Sequence, residues 1–180
     1  EGPSLEDCDL LAAATPLKVL RKTHQLVTEK AKELDKPLLD GLTKAGFALD
    51  YGTDNTGWQF KYLERGGGYY FNVGCSDLIA NGQIRLIQYR DIDQFIASGV
   101  KLNHGEIIEA DLLVTATGYQ GQHHLVTRLF GQDVAARCGP IWGFDEENQE
   151  LRNIWMRTGQ PWLWFIAGSV AQCRIYSKTL

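Results

Sequence analysis

The chain has 180 residues, a length that suits one domain or the joined remnants of two, and its 44% apolar and 22% charged residues are the ordinary balance of a soluble globular protein with a sizeable core. A net charge of -4, with no Lys/Arg cluster long enough to make a polybasic arm, argues against nucleic acid and anionic membrane as partners. No apolar run approaches the ~20 residues of a bilayer span, and no basic-then-apolar leader is present, so a cytoplasmic protein is expected.

The first third reads as helical. Ser4 with Asp7 three residues on resembles a capping box, with Asp in place of Glu or Gln, ahead of Leu10, Leu11 and Ala12. Thr15-Pro16 predicts a second start, with Thr15 as N-cap and Pro16 at the first helical position. Leu17, Leu20, His24, Val27 and Ala31 then recur at helical spacing and predict the inward face. Pro37 opens a third helix carrying Leu38, Leu39, Leu42 and Ala45, and Gly46 is its natural left-handed end. Residues 51–76 are rich in glycine and aromatics. Gly66-Gly67-Gly68 permits positive φ and close backbone approach. Tyr69, Tyr70 and Asn72 follow it and are candidates for a substrate cleft, with rings as apolar wall and Asn as polar handle; the plainer reading is a packed surface loop. Ser76 is read as the cap of a short helix through Asp77, Leu78 and Ile79, ended by Asn81-Gly82.

From Gln83 the period shortens. Ile84, Leu86 and Ile87 predict one strand; Ile92, Phe95 and Val100 predict another, followed by Leu102. Asn103-His104-Gly105 is a turn before a third strand over 106–110. Leu112, Leu113 and Val114 are contiguous and apolar, the pattern of a strand buried on both faces of a parallel sheet, and Gly118 ends it. A helix is expected near His124 to Leu129, then a loop through Gly139-Pro140. Trp162 to Ala167 reads as a final buried strand, closing at Gly168-Ser169, with a helix from near Val170. Strand, glycine, then helix is the βα order that places a helix N-terminus at the ligand-binding edge of an open sheet.

Cys8, Cys75, Cys138 and Cys173 are dispersed with no CxxC spacing, which excludes a zinc ribbon and a thioredoxin-like motif. Reduced, buried thiols are expected. His123 and His124 are adjacent and cannot both face one site on a helix, so no metal site is expected. No Ser/His/Asp triad, HExxH or P-loop pattern is present. The chain starts at Glu1 and stops at Leu180 in a segment that reads as a helix still running, so a piece of a longer protein is expected.

The run from Glu106 through Ala110, Asp111, Leu112, Leu113 and Val114 to Ala116-Thr117-Gly118-Tyr119 resembles flavin-containing monooxygenases and their relatives, with Val100-Lys101-Leu102 leading into it. In that family a strand ending in Ala-Thr-Gly-Tyr leads from the NADPH-binding domain back into the FAD domain. Pro161 to Gln172 resembles the late FAD-domain strand, whose glycine turn approaches the flavin. Gly66 to Ile79 also looks like bacterial members of the group. The similarity covers about residues 8–180.

The resemblance implies an α/β fold, part of a flavoprotein with two dinucleotide-binding domains: a helical N-terminal lobe, short β-strands and α/β remnants. Residues 1–118 would end the NADPH-binding domain with a helical insertion, and 119–180 would close the FAD-binding domain. It implies FAD and NADPH as cofactors of the full-length protein, bordered by Ala116, Thr117, Gly118 and Tyr119 and by Gly168, Ser169 and Gln172. Two departures matter. Neither G-x-G-x-x-G loop is in the chain, so the pyrophosphates would be held upstream of Glu1, by another part of the same protein. Many related flavoproteins have Gly-Asp where this chain has Gly168-Ser169. The implied activity is NADPH- and O2-dependent oxygenation of a small heteroatom or ketone substrate, with flavin carrying the oxygen chemistry and no catalytic side chain assigned. Two other readings stay open: a non-catalytic interaction or dimerisation module using exposed aromatics near Trp58 and Trp162, giving a homo-oligomer, and an NAD(P)H-dependent reductase without oxygenation.

Overall fold

The structure, a computed structural model, describes residues 2–179, with side chains through Lys178. In chain order the helices and strands are α1 (Leu5–Ala14), α2 (Leu17–Leu34), α3 (Lys36–Lys44), α4 (Gly57–Arg65), α5 (Cys75–Ala80), β1 (Ile92–Ile96), β2 (Gly99–Leu102), β3 (Ile107–Glu109), α6 (Gln122–Phe130), α7 (Gln132–Cys138) and α8 (Val170–Tyr176). The fold is mixed: helix makes up 47%, and β1-β2-β3 form an antiparallel sheet in that order. Two compact units divide the chain. One holds the residues up to 31, 51–69 and 119 onward; the other holds 32–50 and 70–118.

In the first unit, α1 starts as its cap predicts: Ser4 Oγ accepts from the Asp7 backbone N–H at 3.1 Å. The start of α2 differs from expectation. Thr15 does not cap it; its hydroxyl donates back to the Leu11 carbonyl at 2.7 Å, and α2 begins at Leu17. The Leu17 N–H donates instead to Glu150 Oε1, 133 residues away. The inward face of α2 is also rotated from the expected one. Leu17, Leu20, Arg21, His24 and Gln25 are half-buried and Thr28 is buried, whereas Val27 and Ala31 are exposed. Phe60 on α4 is the reason: His24 lies edge-on to its ring at 5.6 Å, and Arg21 stacks over it at 5.0 Å. The triple glycine ends α4. Gly66 takes φ 74° and its N–H donates to the Tyr62 carbonyl. A second cluster joins Val126 of α6 to Ala135 and Cys138 of α7 and to Ile141 and Ile154.

In the second unit, α3 ends at the left-handed Gly46 as expected, with φ 85°. It packs on α5, so closely that the Gly41 position faces Ala80 Cβ at 3.1 Å. Ser76 is not the cap of α5. Asn72 Oδ1 accepts from the Gly74 and Ser76 N–H groups, each at 3.0 Å, and α5 starts at Cys75. The residues from Ile92 to Leu102 make a hairpin of two strands, with Ile92 paired to Leu102 and a bulge before Gln94. β3 then pairs with β2 as expected for 106–110. Val100 and Leu102 point into the core, joined by Leu42 and Ile79 as the other buried apolar residues of this unit.

Three expected strands are absent. Ile84, Leu86 and Ile87 lie in irregular backbone after α5. Leu112 to Val114 joins no ladder, with Leu112 79% and Val114 76% exposed, so it is not a strand buried in a parallel sheet. The ladder runs out at Glu109, and no further described strand offers hydrogen bonds to 112–114. Trp162 to Ala167 likewise joins no ladder, although it keeps the alternation of a strand. Leu163, Phe165 and Ala167 pack against the second cluster of the first unit, while Trp162, Trp164 and Ile166 face outward. No described helix is long and apolar enough to cross a membrane.

Candidate functional site

The corner at Gly168 is held from behind by Trp155. Its N–H donates to the Phe165 carbonyl at 3.0 Å, and its indole Nε1 donates to the Ala167 carbonyl at 3.1 Å. Gly168 turns at φ 106°, which favours glycine, and a Cβ there would push the end of the Gln172 side chain out of its place. Ser169 and Gln172 close a reciprocal capping box at the start of α8. The Ser169 N–H donates to Gln172 Oε1 at 2.8 Å, and the Gln172 N–H donates to Ser169 Oγ at 3.3 Å. The three residues predicted at this corner are therefore assembled. The Ser169 hydroxyl accepts the Gln172 N–H and keeps its own proton to donate. Gln172 is committed to the cap. The far flank of α8 is tied to α1 by Arg174, which donates to both Asp9 carboxylate oxygens at 2.8 and 2.6 Å. That contact holds the Asp9 carboxyl below its ordinary pKa.

Ala116, Thr117 and Gly118 close the second unit, and Tyr119 opens the next stretch of the first. All four are exposed. The last backbone tie before them is Ala110 N–H to the Ser98 carbonyl, 3.0 Å; the next after them is His124 N–H to the Gly121 carbonyl, 3.0 Å. Gly118 has φ 81° and nothing within 4 Å of a Cβ position, which leaves open room for close backbone approach.

The cleft candidates have local partners. Tyr69, in the first unit, stacks with Trp58 at 5.3 Å between ring centroids. Tyr70, in the second, shares a hydrogen bond with Ser76 Oγ at 2.8 Å and meets Phe47 at 6.3 Å. Asn72 spends its carbonyl on the Gly74 and Ser76 N–H groups, and its Nδ2 donates to Asp77 Oδ2 at 3.3 Å. His123 Nδ1 lies 3.2 Å from the Gly139 carbonyl, a local tie. Of the cysteines, Cys138 alone is buried; Cys173 is half-buried, and Cys8 and Cys75 are exposed, which corrects the expectation of buried thiols.

Two supporting residues carried no signal in the sequence. Trp142 donates its indole N–H to the Tyr62 carbonyl at 3.0 Å and meets the Tyr62 ring edge-on at 5.3 Å. Burial there raises the Tyr62 phenol pKa, with Tyr69 and Cys173 adding to it. Trp155 is the other, since an isolated aromatic after Ile154 does not announce which carbonyl it will hold. Chemically the Gly168 corner presents backbone at close range, one hydroxyl and no nucleophile paired with a base. Compared with known proteins, the chain matches no family model and no curated protein.

Proposed function

We propose that the chain is part of a FAD-containing, NADPH-dependent monooxygenase that oxygenates a small heteroatom or ketone substrate. One observation carries the reading. The same local design occurs twice: a segment that joins no ladder and carries an apolar run leads to a glycine at positive φ, at Gly118 (φ 81°) and at Gly168 (φ 106°). These are the two corners that the resemblance to flavin-containing monooxygenases assigns to cofactor. On this reading Ala116, Thr117, Gly118 and Tyr119 form the hinge beside the nucleotides. Gly168, Ser169 and Gln172 form the flavin-side turn, and Tyr69, Tyr70 and Asn72 contribute to the substrate cleft.

The residues fit part of that task. The open space at Gly118 admits close backbone approach, and the Ser169 hydroxyl has a proton to donate to a ribityl or phosphate oxygen. They do not supply a pyrophosphate loop, because the chain has no G-x-G-x-x-G. The phosphates are then held by the upstream part of the same protein. When bound, flavin supplies the oxygen chemistry and NADPH the reducing equivalents; the residues here orient, shield and donate hydrogen bonds.

The test uses the full-length protein. It is expected to purify with flavin absorbance and to couple NADPH oxidation to oxygen uptake and an oxygenated product. A colourless protein overturns the reading. A yellow protein that oxidises NADPH without oxygenating any substrate is a reductase instead. The exposed Leu112–Val114 row favours one alternative, an assembly module without catalysis. Gel filtration separates the two: a concentration-dependent dimer of a flavin-free protein supports the module.

A further inference from the structure

A groove of about 350 Å³ lies in the loop before the Trp162 run, at the end opposite Gly168. Arg157, Pro161, Trp162 and Trp164 line it, and Arg157 is the charged residue along it. No ion pair or hydrogen bond occupies Arg157 among the described residues. Trp162 is 87% exposed, and its backbone sits at φ 68°, a region that a bulky residue rarely adopts and that costs free energy wherever it persists. That turn sends the indole outward, where it meets Trp164 edge-on with ring centroids 6.5 Å apart.

The loop beneath is braced. The Thr158 hydroxyl lies 3.1 Å from the Gln160 carbonyl and 3.0 Å from the Leu163 carbonyl. Arg137 Nε donates to Gln160 Oε1 at 2.6 Å, so Arg137 is engaged where Arg157 is not. Behind the groove, Leu163 and Phe165 are anchored in the core. The outward rings and the guanidinium therefore stand on a fixed base, and neither has a partner that would have to be displaced.

The geometry points to a binding site for a planar aromatic carboxylate, separate from the flavin corner: the indoles take the ring, and Arg157 takes the carboxylate. An indole pair offers apolar wall and ring faces, and a guanidinium matches a carboxylate with two parallel N–H donors. The charge decides the class, since an aromatic cation would face Arg157 and a neutral ring would leave it unused.

The test titrates the chain with naphthalene-2-carboxylate and, in parallel, with naphthalene-2-carboxamide, following the indole N–H resonances. The carboxylate is expected to shift the Trp162 and Trp164 signals saturably and to bind at least about tenfold more tightly than the carboxamide. Arg157→Ala is expected to remove that preference. The Trp142 and Trp155 signals, whose indoles are hydrogen-bonded in the core, report that the variant stays folded. Equal binding of the two probes, shifts confined to other tryptophans, or an unchanged preference in Arg157→Ala overturns the proposal.

Discussion

Phe60 has no exposed surface, and its ring touches neighbours of three kinds: His24, Phe144 at 5.7 Å and the Arg21 guanidinium at 5.0 Å. Phe60→Ala leaves a cavity and strips Arg21 of one of its two ring partners, the other being Phe144 at 5.4 Å. The expected cost is about 3–5 kcal/mol, read from the urea midpoint of the variant against the native chain. His24 gives a pH prediction from the same cluster. Burial lowers its pKa from 6.5, so the unfolded chain takes up a proton before the folded one does. Above about pH 6.5 both forms are neutral and His24 costs nothing. Below it stability is lost, progressively, until the pH passes the folded pKa. Urea midpoints at about pH 7.5 and about pH 5.5 should fall more in the native chain than in His24→Leu; parallel falls would refute the assignment. Of these residues the helical period exposed His24, since it shares a face with Leu17 and Leu20. Phe60 was not legible, because the glycine-rich stretch around it gave no period for α4.

At the scale of elements, α1 is a lightly anchored helix of the first unit. It has no buried residue, and its link to α8 is the two-pronged contact of Arg174 with Asp9. Without an apolar face to hold it, α1 depends on that contact. Asp9→Ala is expected to bring the α1 amides close to unprotected exchange rates while the α8 amides keep their protection. Hydrogen exchange by mass spectrometry checks this, and protected α1 amides in the variant would show another anchor. The Ser4-Asp7 cap was legible because both partners are local, whereas Ser76 reads as a cap although its own N–H donates to Asn72. The start of α2 was not legible, because its N–H is met by Glu150 from far along the chain. The same limit explains the strands. An apolar run shows that a segment is extended and water-averse, but a ladder needs a second segment to pair with.

For the whole molecule, the buried apolar residues fall in both units: Phe60 and the cluster of Val126 and Ile154 in one, Leu42, Ile79, Val100 and Leu102 in the other. Outside them lies a row of exposed apolar residues at Leu112, Leu113 and Val114, with unpaired backbone on both sides. Such a row is a template for pairing between chains, and a net charge of -4 gives only modest repulsion against it. Leu112→Lys with Val114→Lys should raise the concentration at which the chain self-associates, measured by sedimentation, and leave the unfolding midpoint within about 0.5 kcal/mol, since neither side chain is buried. A large loss of stability would mean that the row is packed in the folded chain.

By itself the sequence determined what depends on neighbours within a turn or two: the three helices of the first third, the left-handed Gly46 behind α3, the turn at 103–105 between β2 and β3, and the closing helix behind Ser169. Local hydrogen bonds and φ preferences act over that range, so residue order is enough. Tertiary structure alone decided which face of α2 turns inward, which group meets the Leu17 N–H, and that the Leu112 and Trp162 runs stay outside the sheet. Those outcomes rest on partners beyond a turn or two of the chain, such as Phe60 for α2, Glu150 for the Leu17 N–H and Trp155 for the Gly168 corner, and no local pattern encodes such a contact.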